Sequence, residues 1–395
     1  MAHEIDLTRV RQDTPGCKNV VHFNNAGAAL MPTQVLDAVK THLDLEAHIG
    51  AYEAAERAAE SVEHSYSAIA NLIGCDQDEL AIVENATRAW DMAFYSMRFE
   101  PGDRILTGRA EYASNYIAFL QAAKNTGVRI DVVPDDEAGQ ISVGALEAMI
   151  DGRVRLIALT HVPTNGGLVN PAEEVGRVAS AAGIPFLLDA CQSAGQMPTY
   201  VRKIKCDMFS ATGRKYLRGP RGTGFLYVRR EMIEELEPPL LDLHAAKWLA
   251  PDRYEIRKDA RRFENWETNY AGKIGLGKAV DYALALGIEA IWDRVHRLAN
   301  LLRSQLSEIP GLVVRDLGVV RCGIVSFTVK GHDPHELRRK LLDQNFNVWV
   351  SPSEFTLLDM GDRNLSKLVR ASIHYYNSEE EVDRFCRALQ SLVRL

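Results

Sequence analysis

The residues of this sequence best suited to chemistry are an aspartate, Asp189, and a lysine, Lys215. Asp189 ends the apolar run 184–188, which is typical of a short buried strand, and Lys215 follows the small-residue segment 210–214. A lysine amine can hold a carbonyl-bearing cofactor covalently, and a buried carboxylate can keep a pyridine nitrogen protonated so that the ring withdraws electrons. Each residue alone is more often structural, because aspartates commonly cap turns and most lysines are solvated. As a pair in this context they predict a pyridoxal phosphate site.

The segments that surround this pair resemble the class V aminotransferase superfamily. The similarity is carried by 186–195 and 209–224, and it extends from 22–27 to 369–377. This superfamily includes cysteine desulfurases, C–S lyases that act on cystine or cysteine sulfoxides, and isopenicillin N epimerase-like enzymes. The resemblance implies fold type I of the pyridoxal phosphate enzymes, an α/β fold with a mostly parallel sheet in the large domain and a small α+β C-terminal domain. It also implies that Lys215 is both the cofactor-binding lysine and the catalytic base.

Two segments supply candidate ligands for the cofactor phosphate. Asn85 precedes Ala86 and Thr87 at the predicted start of a helix, where free backbone N–H groups and the helix dipole favour an anion. An ordinary N-cap is compatible with the same residues. The resemblance places Thr212 and Arg214 where desulfurases have a serine and a histidine on the phosphate, and a guanidinium suits that role at least as well.

The resemblance implies further contacts to the cofactor ring. Gln192 would donate an amide hydrogen to the phenolic oxygen, and Tyr112 takes the place of a histidine that stacks on the ring in desulfurases. The phenol of Tyr112 is also a candidate catalytic group for proton transfer. Thr164 falls where relatives hold a residue against the phenolic oxygen or the substrate, although the glycines that follow also fit a plain loop. Tyr270 matches a segment that reaches the phosphate of a neighbouring subunit, which predicts a homodimer with a shared active site.

The substrate is expected to be a small amino acid held by an arginine. Arg370 lies in a segment similar to the one whose arginine binds the α-carboxylate in desulfurases, and a planar guanidinium can bind a carboxylate through two hydrogen bonds. The resemblance also places Asn165 against the substrate or the cofactor, with a role in a plain loop as the competing interpretation. Asn25 and Ala26 are expected to line the substrate entrance.

The loop 350–354 indicates which reaction is disfavoured. Cysteine desulfurases carry a persulfide-forming cysteine on the corresponding loop, whereas this sequence has serines there and no cysteine between Cys322 and Cys386. A serine cannot accept a sulfane sulfur, so β-elimination is favoured over desulfuration. Segments 50–55 and 111–115 look most like lyases of S-substituted cysteines, including the hercynylcysteine sulfoxide lyases. We therefore expect a pyridoxal phosphate-dependent carbon–sulfur lyase that releases pyruvate, ammonia and a sulfur-containing product from a cysteine sulfoxide or thioether.

Other functions stay open at this point. The main alternative is another class V reaction on an amino acid, by an epimerase, an aminotransferase or a decarboxylating deaminase, and cysteine desulfuration is less favoured. A non-catalytic binding protein on this fold is disfavoured because suitable residues occupy all the cofactor positions. A Rossmann oxidoreductase is disfavoured because the glycines at 219–224 have the wrong order and precede a strand instead of opening a helix.

The composition fits a two-domain enzyme without nucleic-acid or membrane partners. The chain has 395 residues, a net charge of −7 and no clustered basic stripe, which argues against nucleic acid. No apolar run approaches the roughly 20 residues of a membrane span, and residues 1–6 lack the features of a signal peptide. The six cysteines and eleven histidines show no metal-ligand spacing. We therefore expect no metal and a reducing, cytoplasmic location.

Alternating helix-like and strand-like segments between about residues 60 and 230 predict a mostly parallel sheet with helices on both faces. Ligands of such sheets bind beyond the carboxyl ends of the strands, so Asp189, Thr160 and Ser210 should converge on one cleft. From about residue 284 the pattern predicts a smaller α+β domain, in which 346–350 is expected to form one strand. We therefore divide the chain into a large cofactor-binding domain at 15–283 and a small domain at 284–395, which also includes residues 1–14.

Overall fold

Helices and strands alternate along the chain in the computed structural model, which describes residues 4–393. The helices are α1 (Leu7–Gln12), α2 (Thr33–Ile49), α3 (Ala51–Arg57), α4 (Ala59–Ile73), α5 (Ala86–Phe94), α6 (Ala113–Thr126), α7 (Val143–Met149), α8 (Ala172–Ala182), α9 (Val201–Ile204), α10 (Arg230–Ile233), α11 (Tyr270–Leu286), α12 (Ile288–Ser307), α13 (Pro334–Leu342), α14 (Leu357–Asp362) and α15 (Glu379–Val393). The strands are β1 (Val21–His22), β2 (Leu80–Val83), β3 (Arg104–Thr107), β4 (Arg129–Val132), β5 (Val154–Thr160), β6 (Phe186–Asp189), β7 (Met208–Thr212), β8 (Gly224–Val228), β9 (Ala246–Ala250), β10 (Arg253–Ile256), β11 (Leu312–Val314), β12 (Ile324–Val329), β13 (Phe346–Asn347), β14 (Trp349–Pro352) and β15 (Lys367–Ser372). Within residues 4–393, no helix has the length and apolar character that a membrane span requires.

A seven-stranded sheet with the order β2-β8-β7-β6-β5-β3-β4 forms the centre of the large domain. Strands β7, β6, β5, β3 and β4 pair in parallel. Strand β8 is antiparallel to both of its neighbours, β7 and β2. Parallel neighbours need crossover connections, and the helices between the strands supply them. The predicted α/β fold with a mostly parallel sheet is confirmed.

Apolar side chains cover both faces of this sheet, which explains the nearly continuous apolar runs of its strands. Along β6, Phe186 and Leu188 enter the core under α4, α8 and α11. Leu187 points the other way, into the core under α5 and α6. Because both faces are covered, polar side chains can reach a ligand only at the strand ends.

A four-stranded antiparallel sheet with the order β11-β12-β15-β14 forms the small domain. Val325, Phe327 and Val369 lie on the face that packs with α12, α13 and α15 into a separate core. Side chains alternate along a strand, so Ser326 and Arg370, which are cross-strand partners, lie on the opposite face. This second face is the one turned toward the large domain.

The N-terminal segment is attached to the small domain. Strand β1 pairs in parallel with β13, and Arg11 Nη1 donates to Glu381 Oε1 at 2.8 Å. The division that includes 1–14 in the small domain stays a prediction, and the attached strand β1 lies after residue 14. Residues 1–3 and 394–395 of the two predicted ranges lie outside the described residues.

The predicted strand 346–350 is two strands in the structure. Strand β13 pairs with β1, whereas β14 pairs with β15. Phe346, Val348 and Val350 are all buried, so the period-two pattern continues across the change of partner. For this reason the sequence pattern alone predicts one strand.

Candidate active site

The carboxyl ends of four neighbouring strands lie along one edge of the large sheet, and two of them, those of β5 and β6, line a cleft. Thr107 ends β3, Thr160 ends β5, Asp189 ends β6 and Thr212 ends β7. The residues that line the cleft are Asn85, Ala86, Thr87, Tyr112, Asn115, Thr160, Val162, Thr164, Asp189, Cys191, Gln192, Arg214 and Lys215. The structure thus brings most of the predicted cofactor residues together.

A tight loop after β7 carries Lys215. Gly213 N donates to Thr223 O at 3.0 Å, and a Cβ on Gly213 would lie 2.3 Å from Thr223 Oγ1, so only glycine fits this approach. Burial lowers the pKa of the Lys215 amine, and the neighbouring charge of Arg214 lowers it further. A lowered pKa increases the share of neutral amine, which is the form that attacks a carbonyl carbon or accepts a proton.

Two donors hold the Asp189 carboxylate at the end of β6. Oδ1 accepts from Cys191 N at 2.9 Å, and Oδ2 accepts from Asn115 Nδ2 at 3.0 Å. The residue is buried, and each carboxylate oxygen still has a lone pair free for a further donor. Such a carboxylate suits a protonated ring nitrogen.

The start of α5 and the Arg214 guanidinium make one end of the cleft electropositive. Asn85 caps α5, since its Oδ1 accepts from Arg88 N at 2.9 Å, and the first-turn backbone N–H groups are those that an α-helix leaves without intrahelical partners. Arg214 Nη1 donates to Thr212 Oγ1 at 3.0 Å. Thr212 therefore holds Arg214 in place. A helix N-terminus and a guanidinium on one cleft suit a phosphate.

Tyr112 and Gln192 form parts of the cleft wall. Tyr112 is the N-cap residue of α6 and is half-buried. Gln192 Nε2 donates to Ala26 O at 3.1 Å and to Thr164 Oγ1 at 3.3 Å. Gln192 Oε1 is buried without a partner. Both Nε2 hydrogens are thus engaged with the protein, so the predicted donation to the phenolic oxygen has no free hydrogen in this arrangement. Leaving a buried acceptor unpaired costs free energy, so the free Oε1 indicates that a donor group of a ligand belongs beside it.

Arg370 extends from β15 to the rim of the cleft. Nη1 donates to Thr164 O at 3.0 Å and to Thr164 Oγ1 at 2.7 Å, while Nη2 donates to Asn24 Oδ1 at 3.3 Å. Nε has no partner. Burial lowers the pKa of Arg370 to about 10, so the side chain remains charged at neutral pH. A buried cation whose hydrogen-bond partners are all neutral favours an anionic ligand.

Asn25 connects the N-terminal segment to β15. Its Nδ2 donates to Ser372 O at 2.7 Å, and its Oδ1 accepts from the Tyr376 hydroxyl. Both ends of the amide are therefore engaged with the protein, and the predicted substrate contact of Asn25 finds no free group. Ala26, whose carbonyl accepts from Gln192, is closer to the cleft.

Asn165 fixes the segment that follows β14. Its Nδ2 donates to Pro352 O at 3.1 Å and to Thr356 Oγ1 at 3.0 Å. Its Oδ1 is buried without a partner. Asn165 is not among the cleft-lining residues, and its contact with the substrate stays a prediction.

Tyr270 lies apart from the cleft. It begins α11 and lines a second cavity together with Tyr52 and Trp266. A contact with the phosphate of its own chain is therefore not supported by the geometry, and a contact with another chain stays a prediction.

Three residues in or directly beside the cleft were absent from the predicted site residues: Asn115 and Cys191, which line it, and Glu111, which lies behind Asn115. Asn115 and Cys191 line the cleft, and Glu111 is hydrogen-bonded to Asn115 at 2.8 Å. Burial and the charge of Asp189 raise the pKa of the Cys191 thiol to about 12. The position of Cys191 two residues after Asp189, and the i, i+4 spacing of Glu111 and Asn115 after a strand, are the signals that identify them.

The fold and this cleft define a class of enzymes that use pyridoxal phosphate. The chain matches the family model Aminotransferase class-V over residues 21–385 and belongs to that family. It is 30% identical to a "Probable cysteine desulfurase" of Pyrococcus abyssi, over 98% of this chain and 97% of the relative. It is 32% identical to a "Probable cysteine desulfurase" of Xylella fastidiosa (strain 9a5c), over 99% and 96%. The solved cysteine desulfurase of Thermococcus onnurineus NA1 is 29% identical, with a TM-score of 0.93 over the full length of both chains.

These similarities confirm fold type I, pyridoxal phosphate as the cofactor and carbon–sulfur lyase chemistry. The residues present fit the cofactor, because one cleft combines an amine, a carboxylate, an electropositive end and the unpartnered Gln192 Oε1. When bound, the cofactor supplies an electron-withdrawing ring that stabilises negative charge at the substrate Cα.

The expectation of a lyase specific for a cysteine sulfoxide or thioether is wrong. The relatives are named cysteine desulfurases, the reaction that the sequence analysis ranked lower. The absence of a cysteine from 350–354 bears on where the sulfur goes and not on which C–S bond is cleaved. Segment 50–55, which favoured the sulfoxide lyases, lies at the start of α3, where Tyr52 is 74% exposed, and it does not line the cleft.

Proposed function

We propose that this enzyme removes sulfur from L-cysteine with pyridoxal phosphate bound at Lys215. The observation that carries the proposal is the convergence of Lys215 and Asp189 in one cleft, with the buried Arg370 guanidinium held beside it by Thr164. The names of the relatives favour cysteine as the substrate, and the three side chains supply a base, a partner for the ring nitrogen and a carboxylate ligand.

In this proposal each side chain has a separate task. Arg370 binds the α-carboxylate of cysteine and thereby fixes which Cα substituent faces Lys215. The neutral Lys215 amine removes the Cα proton and later returns it. Asp189 keeps the ring nitrogen protonated. Thr87, with the backbone of the first turn of α5, and Arg214 hold the phosphate.

The sulfur acceptor is proposed to be a thiol from outside this chain. The segment 350–354 contains no cysteine. Cys191 is the cysteine of the cleft, and its raised pKa of about 12 keeps it protonated at neutral pH. An external thiolate therefore takes the sulfur, and the electron pair of the broken C–S bond stays with the carbon skeleton. Protonation at Cβ and Cα then gives alanine, so L-cysteine and R–SH yield L-alanine and R–S–SH.

The experiment follows alanine and sulfur together. Purified holoenzyme is given L-cysteine with and without dithiothreitol, and alanine, pyruvate and sulfide are quantified. We expect alanine and sulfide in equal amounts, with a rate that rises with the thiol concentration. Lys215→Ala should form no product and lose the borohydride-sensitive absorbance band of the bound cofactor. Pyruvate and ammonia in place of alanine, or product only with an added keto acid, would contradict the proposal.

We further propose that the enzyme is a homodimer in the cytoplasm. Tyr52, Trp248, Tyr254 and Trp266 are 74%, 74%, 54% and 55% exposed, and clusters of exposed large apolar side chains are typical of protein interfaces. Tyr270 lies beside Tyr52 and Trp266, apart from the cleft of its own chain. Its predicted contact with the phosphate would then reach the cleft of a second copy. The six cysteines are all free, which favours a reducing compartment.

A further inference from the structure

A second buried carboxylate, Glu111, lies one side chain away from Asp189. It is 3% exposed and sits between the end of β3 and the start of α6. Its Oε2 accepts from Thr107 Oγ1 and from Thr160 N, both at 3.0 Å. Its Oε1 accepts from Tyr112 N at 3.1 Å and from the Thr160 hydroxyl. All of these donors are neutral, and a buried carboxylate without a cationic partner is costly.

The amide of Asn115 connects Glu111 to Asp189. Asn115 Nδ2 donates to Glu111 Oε1 at 2.8 Å and to Asp189 Oδ2 at 3.0 Å. Both neighbouring atoms are acceptors, so the NH₂ end of the amide must face them. Each hydrogen of this NH₂ group is thereby committed to one carboxylate. The orientation of the Asp189 carboxylate thus depends on Asn115, which Glu111 holds in turn.

Glu111 is held near the balance between its neutral and ionised forms. Burial raises the pKa of Glu111 to about 7, the hydrogen bonds from Thr160 and Asn115 limit the rise, and the charge of Asp189 adds to it. The groups that contact Glu111 from β3, β5 and α6 are hydroxyls and amides, and its charged neighbour is Asp189 on β6. Because the two carboxylates share one NH₂ group, a charge on Glu111 is felt at Asp189.

We propose that Glu111 is a positioning residue for the cofactor. Through the shared Asn115 amide it orients the Asp189 carboxylate and adds to the negative potential that keeps the ring nitrogen protonated. Its bond to Tyr112 N also fixes the start of α6 and with it the Tyr112 ring. This inference rests on the proposed function for the assignment of Asp189 and Lys215 to the cofactor.

Glu111→Gln tests this role, because it removes the charge and keeps the size of the side chain. The absorbance of the Lys215-bound cofactor is titrated in the holoenzyme from about pH 5 to about pH 10 without substrate. Loss of a nearby negative charge disfavours the protonated cofactor, so we expect the midpoint to fall by about one pH unit.

The matched control is Glu381→Gln. Glu381 is also buried and also accepts from an asparagine, Asn377 Nδ2, at 3.0 Å. Asn377, however, bonds to the backbone of His22 and His374 and not to Asp189. This variant should lower the melting temperature and leave the midpoint of the cofactor titration at the wild-type value.

Asn115→Ser provides a second variant, because serine is too short to reach both carboxylates. It should also lower the midpoint. Adding Glu111→Gln to it should then shift the midpoint by less than Glu111→Gln does alone, because the part of the effect that passes through Asn115 is already lost. An unshifted midpoint in Glu111→Gln, or fully additive shifts, would overturn the inference. If Glu111→Gln does not fold, an unshifted midpoint in Asn115→Ser overturns the inference.

A wild-type absorbance band that persists in Lys215→Ala contradicts the proposed function itself. A Lys215-dependent band with an unshifted midpoint contradicts only the role of Glu111.

Discussion

The buried guanidinium of Arg370 keeps its charge with only neutral hydrogen-bond partners. Thr164 supplies two acceptors and Asn24 a third, and the Nε atom has none. A carboxylate brings an opposite charge and can accept two parallel hydrogen bonds from the planar guanidinium, which these neutral acceptors do not. An amino-acid substrate can therefore displace these neutral partners, and the side chain is already in place before the substrate arrives.

Arg370→Lys should weaken substrate binding more than turnover. Lysine keeps the charge but loses the planar fork that binds a carboxylate with two hydrogen bonds. We expect KM for L-cysteine to rise about 10- to 100-fold, which corresponds to roughly 1.4 to 2.8 kcal/mol, with a smaller change in kcat. The same substitution at Arg129, which is exposed on β4, serves as the control. An unchanged KM in Arg370→Lys would show that another group binds the carboxylate.

At the scale of elements, the electropositive end of the cleft depends on how closely β8 approaches the start of α5. A Cβ on Gly224 would lie 2.7 Å from the Asn85 carbonyl carbon, 2.9 Å from Ala86 N and 2.7 Å from Ala211 O. No flexible side chain is available to move aside, since all three atoms belong to the backbone. The glycine therefore sets the position of the helix end against the sheet.

Gly224→Ala should move the start of α5 away from β8 and weaken cofactor binding. We expect the Kd for pyridoxal phosphate to rise by about tenfold or more, because a displacement of backbone donors weakens several hydrogen bonds at once. Gly144→Ala is the matched control, since a Cβ there meets nothing within 4 Å and the residue lies in α7. That change should stabilise the protein slightly, by about 0.5–1 kcal/mol, without effect on the Kd. Equal Kd values for the two variants would contradict this account of the cleft.

The elements of the large domain were predictable because each carries a local signal. Strand β6 is an apolar run that ends in a polar residue, Asp189, and the start of α5 has an asparagine cap at Asn85. The division of 346–350 into β13 and β14 at Val348 has no such signal, because it depends on the different strands with which the two parts pair. For Glu111 the i, i+4 spacing to Asn115 is a local signal, but it does not show what surrounds the carboxylate. Its neighbours Thr107 and Thr160 come from different strands, and only the folded sheet brings them together.

At the scale of the whole molecule, the distribution of exposed aromatic side chains is uneven. Trp248 and Tyr254 lie on the β9–β10 hairpin, and Trp266 and Tyr52 surround the cavity of Tyr270. If a second copy covers this surface, Tyr270 of each chain serves the other chain's cleft. In the proposed homodimer, each active site therefore combines Lys215 of one chain with Tyr270 of the other.

A mixture of two inactive variants should recover activity. Chains with Lys215→Ala and chains with Tyr270→Ala are combined, dissociated and reassembled. In a mixed dimer one cleft has both original residues and the other has neither, so we expect about a quarter of the wild-type sites to be restored when pairing is random. The measurement is borohydride-sensitive cofactor absorbance and alanine formation, alongside the mass in solution by light scattering. A monomeric mass, or no recovery in a mixture that does pair, would contradict the shared site.

The attachment of the N-terminal segment also has a consequence for synthesis of the chain. Ala26 N donates to Ser372 Oγ at 2.9 Å across 346 residues of sequence, and Phe23 is fully buried in the small-domain core. At a translation speed of about 5–20 residues per second, this segment is synthesised roughly 20–70 s before Ser372 and the strands of the small-domain core. During that interval Phe23 has no core to enter. The nascent polypeptide therefore carries an exposed apolar segment throughout this interval, and Arg370, the proposed ligand of the substrate carboxylate, is made only at its end.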